Sequence, residues 1–150
     1  MSIYMLIMRT VDEAAAQQAM ADAGLDFDKM IETMGRFNEE LFHAGVLVAM
    51  EGLEDATLGA VVDYSSTPPV VTDGPYGETK ELFNGYWQID VPTKEAAIEW
   101  ALKVPAGPGV KTEIRRVPTI DEFPGDNPWI QREIEMRKDL LRSQLEKAEG

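Results

Sequence analysis

The sequence predicts an α+β domain, an antiparallel sheet with helices on one face, plus an extra C-terminal helix. Three observations predict it. Strand-like and helix-like segments follow one another in the order strand, helix, two or three strands, helix, strand. The longest helical segment spaces its apolar residues by three and four, which gathers them on one face. The segment 110–117 alternates, with Val110, Thr112 and Ile114 on one side and Lys111, Glu113 and Arg115 on the other, as a half-exposed strand does.

The elements follow in order. Ile3 to Met8 is apolar throughout and contains Ile and Tyr, which fits a central strand. Asp12 to Ala23 is alanine-rich and is stopped by Gly24. The main helix runs from Asp26 to Ala44, capped by Asp26, ended by Gly45, with Phe27, Met30, Ile31, Met34, Phe37 and Leu41 as its stripe. Val46 to Ala49 is a strand that Glu51-Gly52 interrupts and Leu58 to Tyr64 resumes. Ser65 to Pro69 turns the chain, so that Val70 to Thr72 pairs back. Tyr86 to Val91 is the next strand, and alternation sets Tyr86 and Trp87 on opposite faces. One of the two packs under the helices and the other faces the open side, as a ligand floor or, by preference, a dimer interface. Thr93 caps a second helix with Ala97, Ile98, Ala101 and Leu102 inward, closed by Pro105 and Gly107-Pro108-Gly109. This order is the split β-α-β pattern of the ferredoxin-like class.

The domain is expected to span 1–118, with 119–150 a linker and helix extension. Asn127-Pro128 supplies a cap and a first-turn proline. The stripe of the helix Trp129 to Lys147 is Ile130, Ile134, Leu141 and Leu145, widened by Met136 and Leu140. So narrow a stripe makes no core of its own, so this helix is expected to dock on the domain, on a second chain or on a protein partner.

Composition excludes several function classes. With 150 residues the chain can bury a core without staples. There is no cysteine, hence no disulfide or thiolate metal site, and the one histidine excludes multi-histidine sites. Nothing calls for a metal or any other cofactor. A net charge of −13 without a basic stripe argues against nucleic acid and anionic membrane surfaces as partners. Met1 to Arg9 lacks a basic leader and its apolar run is too short for a membrane span, so a soluble cytoplasmic protein is expected. The methionines fall largely within strands and helix stripes and read as core filler.

The stretch Asp73-Gly74-Pro75-Tyr76-Gly77-Glu78-Thr79-Lys80-Glu81 carries the functional signal. It mixes glycine, proline and charge, and opens a long connection to Asn84. Two readings stand side by side. In one, Asp73 accepts backbone N–H groups and Gly74 takes a positive φ, so the segment is a braced turn. In the other, it is a cleft loop in which Asp73 or Glu78 does acid–base work beside Tyr76 and Lys80, with Glu51, at a strand end, read either as a buried acid of the same site or as a solvated side chain. Gly74, Pro75 and Tyr76 would then line the site, and Lys80 and Arg9 would be countercharges for a small anionic ligand. His43 sits in the last turn of the main helix, where its charge suits the helix dipole, and no triad spacing surrounds it.

Thr72 to Glu81, followed by Asn84-Gly85-Tyr86 and Ile89-Asp90-Val91, resembles the YCII-related family in its DGPF-domain branch. Phe37-Asn38-Glu39-Glu40-Leu41, Ala44-Gly45-Val46-Leu47, Glu51-Gly52-Leu53, Glu99-Trp100-Ala101 and Glu113-Ile114-Arg115 add to the resemblance, with Tyr76 standing where the branch has Phe. The resemblance implies a ferredoxin-like homodimer whose two sheets pack together around a cleft of mostly unassigned role. Relatives similar to muconolactone isomerases act as lyases or dehalogenases through a His–Asp pair. Their histidine aligns near Thr33 or Met34, neither of which replaces it, so that pair is not carried over. The DGPF branch is often encoded beside extracytoplasmic-function sigma factors, which implies a regulatory, protein-binding alternative. The leading expectation is small-molecule binding with lyase or isomerase chemistry near the loop.

Overall fold

The computed structural model describes residues 1–74 and 81–150. The sheet is built from β1 (Ser2–Thr10), β2 (Leu47–Gly52), β5 (Leu82–Val91) and β6 (Val110–Arg116), in the order β2-β5-β1-β6, every pair antiparallel. β1 is central, paired on one edge with β5 and on the other with β6, as its continuous apolar run leads one to expect of a strand covered on both faces. Tyr4 and Leu6 of β1 and Trp87, Ile89 and Val91 of β5 point to the helix face and are buried. Ile3, Met5, Ile7, Tyr86 and Gln88 alternate to the open face.

Among the described residues, three helices belong to this unit: α1 (Glu13–Asp22), α2 (Phe27–His43) and α3 (Lys94–Ala101). Their starts obey side-chain chemistry. Asp12, Asp26 and Thr93 each accept the backbone N–H three residues on, at 2.9, 2.9 and 3.1 Å. Gly24 and Gly45 follow α1 and α2 with φ of 62° and 71°, the left-handed conformation that ends helices. Phe37 and Leu41 of α2, Ala97 of α3 and Val104 close the core on the sheet.

The structure differs from the sequence reading in four places. Residues 58–64 are not one strand: Ala56–Leu58 is a 3₁₀ turn, capped by Asp55, and β3 begins at Ala60. β3 (Ala60–Asp63) and β4 (Val70–Asp73) pair with each other as a separate two-stranded ribbon, outside the main sheet. β5 starts at Leu82 rather than Tyr86, because a bulge lets the ladder continue: pairing steps from Met8–Gly85 to Arg9–Phe83, leaving Asn84 as the extra residue. Helix stripes are buried over less than their length. Phe27 and Ile31 of α2 are 69% and 55% exposed, and Leu102 lies outward as the C-cap of α3, one residue past the turn that packs.

Residues Pro118–Gly150 form a second compact unit. It holds a 3₁₀ turn at Ile120–Glu122 and α4 (Pro128–Glu149). Asn127 Oδ1 accepts the Trp129 N–H at 2.9 Å, and Glu133 pairs with Arg137 at 2.6 Å, one turn along. Trp129, Met136, Leu140, Leu141 and Leu145 are exposed. Among the described residues no helix is long and apolar enough to cross a membrane.

Candidate functional site

A cleft of about 270 Å³ opens between α2 and the β2 side of the sheet. It forms where the apolar stripe of α2 runs on beyond the closed core. Met34 and Asn38 face it from the helix, Met8 from β1, Met50 and Gly52 from β2, and Asn84, Gly85 and Trp87 from β5. Gly52 and Gly85 are register partners on the helix face. Gly85 is sterically required: a Cβ there would lie 2.7 Å from the Glu51 carbonyl oxygen. Two strands therefore meet at the cleft with no side chain between them.

One polar contact organises the walls. Trp87 Nε1 donates to Asn38 Oδ1 at 2.7 Å, joining β5 to α2. Phe37 meets Trp87 edge-to-face, with ring centroids 5.2 Å apart and planes at 89°. The indole is thus fixed on one side by a ring and on another by a carboxamide. At the bulge, Asn84 Nδ2 donates to Thr10 Oγ1, and Asn84 O accepts the Leu53 N–H at 2.8 Å.

The residues predicted from sequence are placed apart. Glu51 borders the cleft through its strand, but it pairs with Tyr86, and alternation turns both side chains to the open face. Asp73 ends β4 on the ribbon, exposed, paired with Ala60, and it is not among the described residues lining the cleft. Gly74 is buried with φ 75° and its N–H donates to Gly59 O at 2.7 Å, the fixed positive-φ turn that its neighbours imply. Arg9 lies on the open face, 2.9 Å from Glu81 and 3.3 Å from Glu113, so two carboxylates share its charge. Its Nε is buried without a hydrogen-bond partner among the described residues. Pro75, Tyr76, Glu78 and Lys80 lie outside the described residues. His43 is in the exposed last turn of α2, its Nε2 3.5 Å from Glu39.

Sequence reasoning missed Met8, Met34, Met50, Trp87 and Asn38 as one site. Local spacing makes the methionines core filler, whereas three of them ring an opening. Asn38 and the run Asn84 to Tyr86 sit within the segments that carry the family resemblance, which is the signal that could have marked them.

The comparison with known families decides the affiliation. The sequence pattern of the YCII-related domain matches residues 2–119. The chain belongs to the YCII-related family. The match covers the whole of the sheet and its three helices, and it ends before the 3₁₀ turn and α4 of the second unit. This YCII-related chain is also similar to an uncharacterised protein of Rhizobium meliloti (strain 1021), at 27% identity over 74 residues. That alignment covers 49% of the chain and 60% of the relative.

Proposed function

We propose that this YCII-related protein binds a small molecule in the cleft between α2 and β2. The single observation behind the reading is the cleft itself: three thioethers, a fixed indole and a carboxamide around two facing glycines. Apolar walls with few placed polar groups are the usual make-up of a small-ligand site. Lyase or isomerase chemistry is proposed apart from the cleft, with Glu51 and Asp73 as the acid–base pair and Gly74, Pro75, Tyr76, Lys80 and Arg9 around them, because Glu51 and Arg9 turn to the open face of the sheet. Membership of the DGPF branch and a cytoplasmic location are part of the same proposal. So is a homodimer packed through the open face, where Ile3, Met5, Ile7 and Tyr86 lie together; sedimentation equilibrium tests it, and a clean monomer at micromolar concentration removes it.

A thermal-shift screen of a metabolite panel tests the binding reading. A ligand that stabilises the wild type is expected to lose its effect in Met34→Trp, whose indole fills the cleft. Ligands that stabilise both proteins equally place binding elsewhere. Loss of turnover in Asp73→Asn and Glu51→Gln with folding intact would support chemistry; unchanged turnover in both would remove those residues from it.

A protein-binding module is the second reading, and α4 favours it. Its exposed Trp129, Met136, Leu140, Leu141 and Leu145 make an apolar surface on a charged helix. Truncation after Pro124 should then leave the first unit folded and remove a partner from a pull-down. Retention of every partner counts against this reading.

A further inference from the structure

We infer that the cleft selects a neutral, flat ring bearing a hydrogen-bond acceptor. This rests on the proposal that the cleft binds a small molecule, and it names the class. Asn38 carries the argument. An indole N–H can only donate, so the Asn38 atom 2.7 Å from Trp87 Nε1 is the amide oxygen, and the amide orientation is settled. The Asn38 NH₂ group therefore points away from the indole, and it donates to nothing among the described residues. Because Asn38 lines the cleft, that NH₂ is what it offers a guest. A guest atom that accepts would satisfy it, and a purely apolar guest would bury it unpaired.

Shape comes from Gly52. It is exposed and a Cβ there would meet nothing within 4 Å, so β2 presents bare backbone on which a flat ring can lie, beside the buried Gly85 of β5. Thioether sulfurs make favourable contacts with ring edges, and Met34 and Met50 stand on the helix and strand walls. At about 270 Å³ the cleft has room for one or two fused rings, below the roughly 300–1,000 Å³ typical of drug-sized ligand sites. Charge is disfavoured in both senses. Glu51 turns its carboxylate to the open face, and Arg9 on that face is held by Glu81 and Glu113, so among the described residues an ion in the cleft has no partner to offset its desolvation. The net charge of −13 adds a further barrier to anions.

The test uses the full chain with ¹³C-methyl methionine, so that Met8, Met34 and Met50 report on the cleft by NMR. Probes are quinoline and naphthalene, which share a shape and differ by one acceptor, together with 1-naphthoate, all at pH 7.5. Asn38→Asp is the companion variant: it keeps an acceptor for Trp87 and removes the donor. Quinoline is expected to shift the three methyls, and Asn38→Asp to weaken quinoline roughly tenfold, from the acceptor buried without a donor. Naphthalene should change less than twofold between the two proteins. Tighter binding of 1-naphthoate, or quinoline binding indifferent to Asn38→Asp, overturns the assigned class while leaving the cleft a binding site. If no probe moves the three methyls, the binding proposal falls with it.

Discussion

Gly85→Ala should weaken the protein at the edge of the cleft, while Gly52→Ala, its register partner, should not. The two glycines pair across β2 and β5, yet their surroundings differ. A Cβ on Gly85 would stand 2.7 Å from the Glu51 carbonyl oxygen and 3.2 Å from Gly52 Cα, both backbone atoms. Real Cβ atoms do not approach so closely, so β2 must move off β5 by several tenths of an ångström. No flexible side chain is there to yield. A Cβ on Gly52 meets nothing within 4 Å. Overpacking of this kind costs about 1–3 kcal/mol, whereas a substitution into open space stays within about 0.5 kcal/mol. Both variants would be compared with wild type by urea denaturation, followed by far-UV circular dichroism and tryptophan fluorescence. The denaturation midpoint of Gly85→Ala should fall with an unchanged slope, and that of Gly52→Ala should hold. Displacement of β2 also moves Met50, so Gly85→Ala should change the ¹³C-methyl signal of Met50 more than that of Met8. Equal midpoints for the two variants would refute the steric reasoning and with it the close approach of the strands.

Other outcomes follow from the same geometry. Leu41 is fully buried between α2 and the sheet, so Leu41→Ala should cost about 2–5 kcal/mol in the same denaturation assay; a loss under about 1 kcal/mol would show that this end of α2 is not core. Gly74 has φ 75°, and a Cβ there would meet only Thr57, whose carbonyl oxygen would lie at an ordinary 3.7 Å, so Gly74→Ala should cost about 1–2 kcal/mol from backbone strain alone; an unchanged midpoint would mean that the turn relaxes. Hydrogen bonds from the Thr57 hydroxyl and then the Thr57 N–H hold the Asp55 carboxyl below its ordinary value. A depressed folded-state value stabilises above the unfolded pKa and is lost as pH falls through the folded one. An NMR titration should find Asp55 low in the wild type and raised towards the ordinary range in Thr57→Val; coincident titrations would remove the hydroxyl as the cause.

Local chemistry was legible in the sequence, and distant pairing was not. Asp12, Asp26, Thr93 and Asn127 announce helix starts because a cap is a contact between residues two or three apart. Gly24, Gly45 and Gly74 announce positive φ for the same local reason. Alternation placed Trp87 and Tyr86 on opposite faces, and burial of Trp87 decides which one lies under the helices. Spacing could not say how far the sheet extends beneath α2, so Phe27 and Ile31 share a stripe with Leu41 and yet stay exposed. Nor could it say that β3 and β4 would leave the main sheet, because strand partners are chosen by tertiary packing.

The same limit governs the cleft. Its residues come from four places far apart in the chain, and each has an ordinary local explanation: a methionine in a strand, an asparagine on a helix, a glycine beside a bulge. Acidic side chains draw attention instead, since carboxylates beside a glycine-rich turn have the vocabulary of catalysis. The folded chain supplies what that vocabulary lacks, the contact between Trp87 and Asn38 across 49 residues. That single hydrogen bond fixes an indole, orients a carboxamide and leaves the NH₂ of a cleft-lining residue without a partner among the described residues. Such a donor is satisfied only by water until a guest displaces it, and a guest without an acceptor leaves it unpaired at a cost of about 1–3 kcal/mol. Its position beside three thioethers and the bare backbone of Gly52 is therefore the strongest physical reason to look for a ligand there, ahead of any carboxylate that the sequence brings forward.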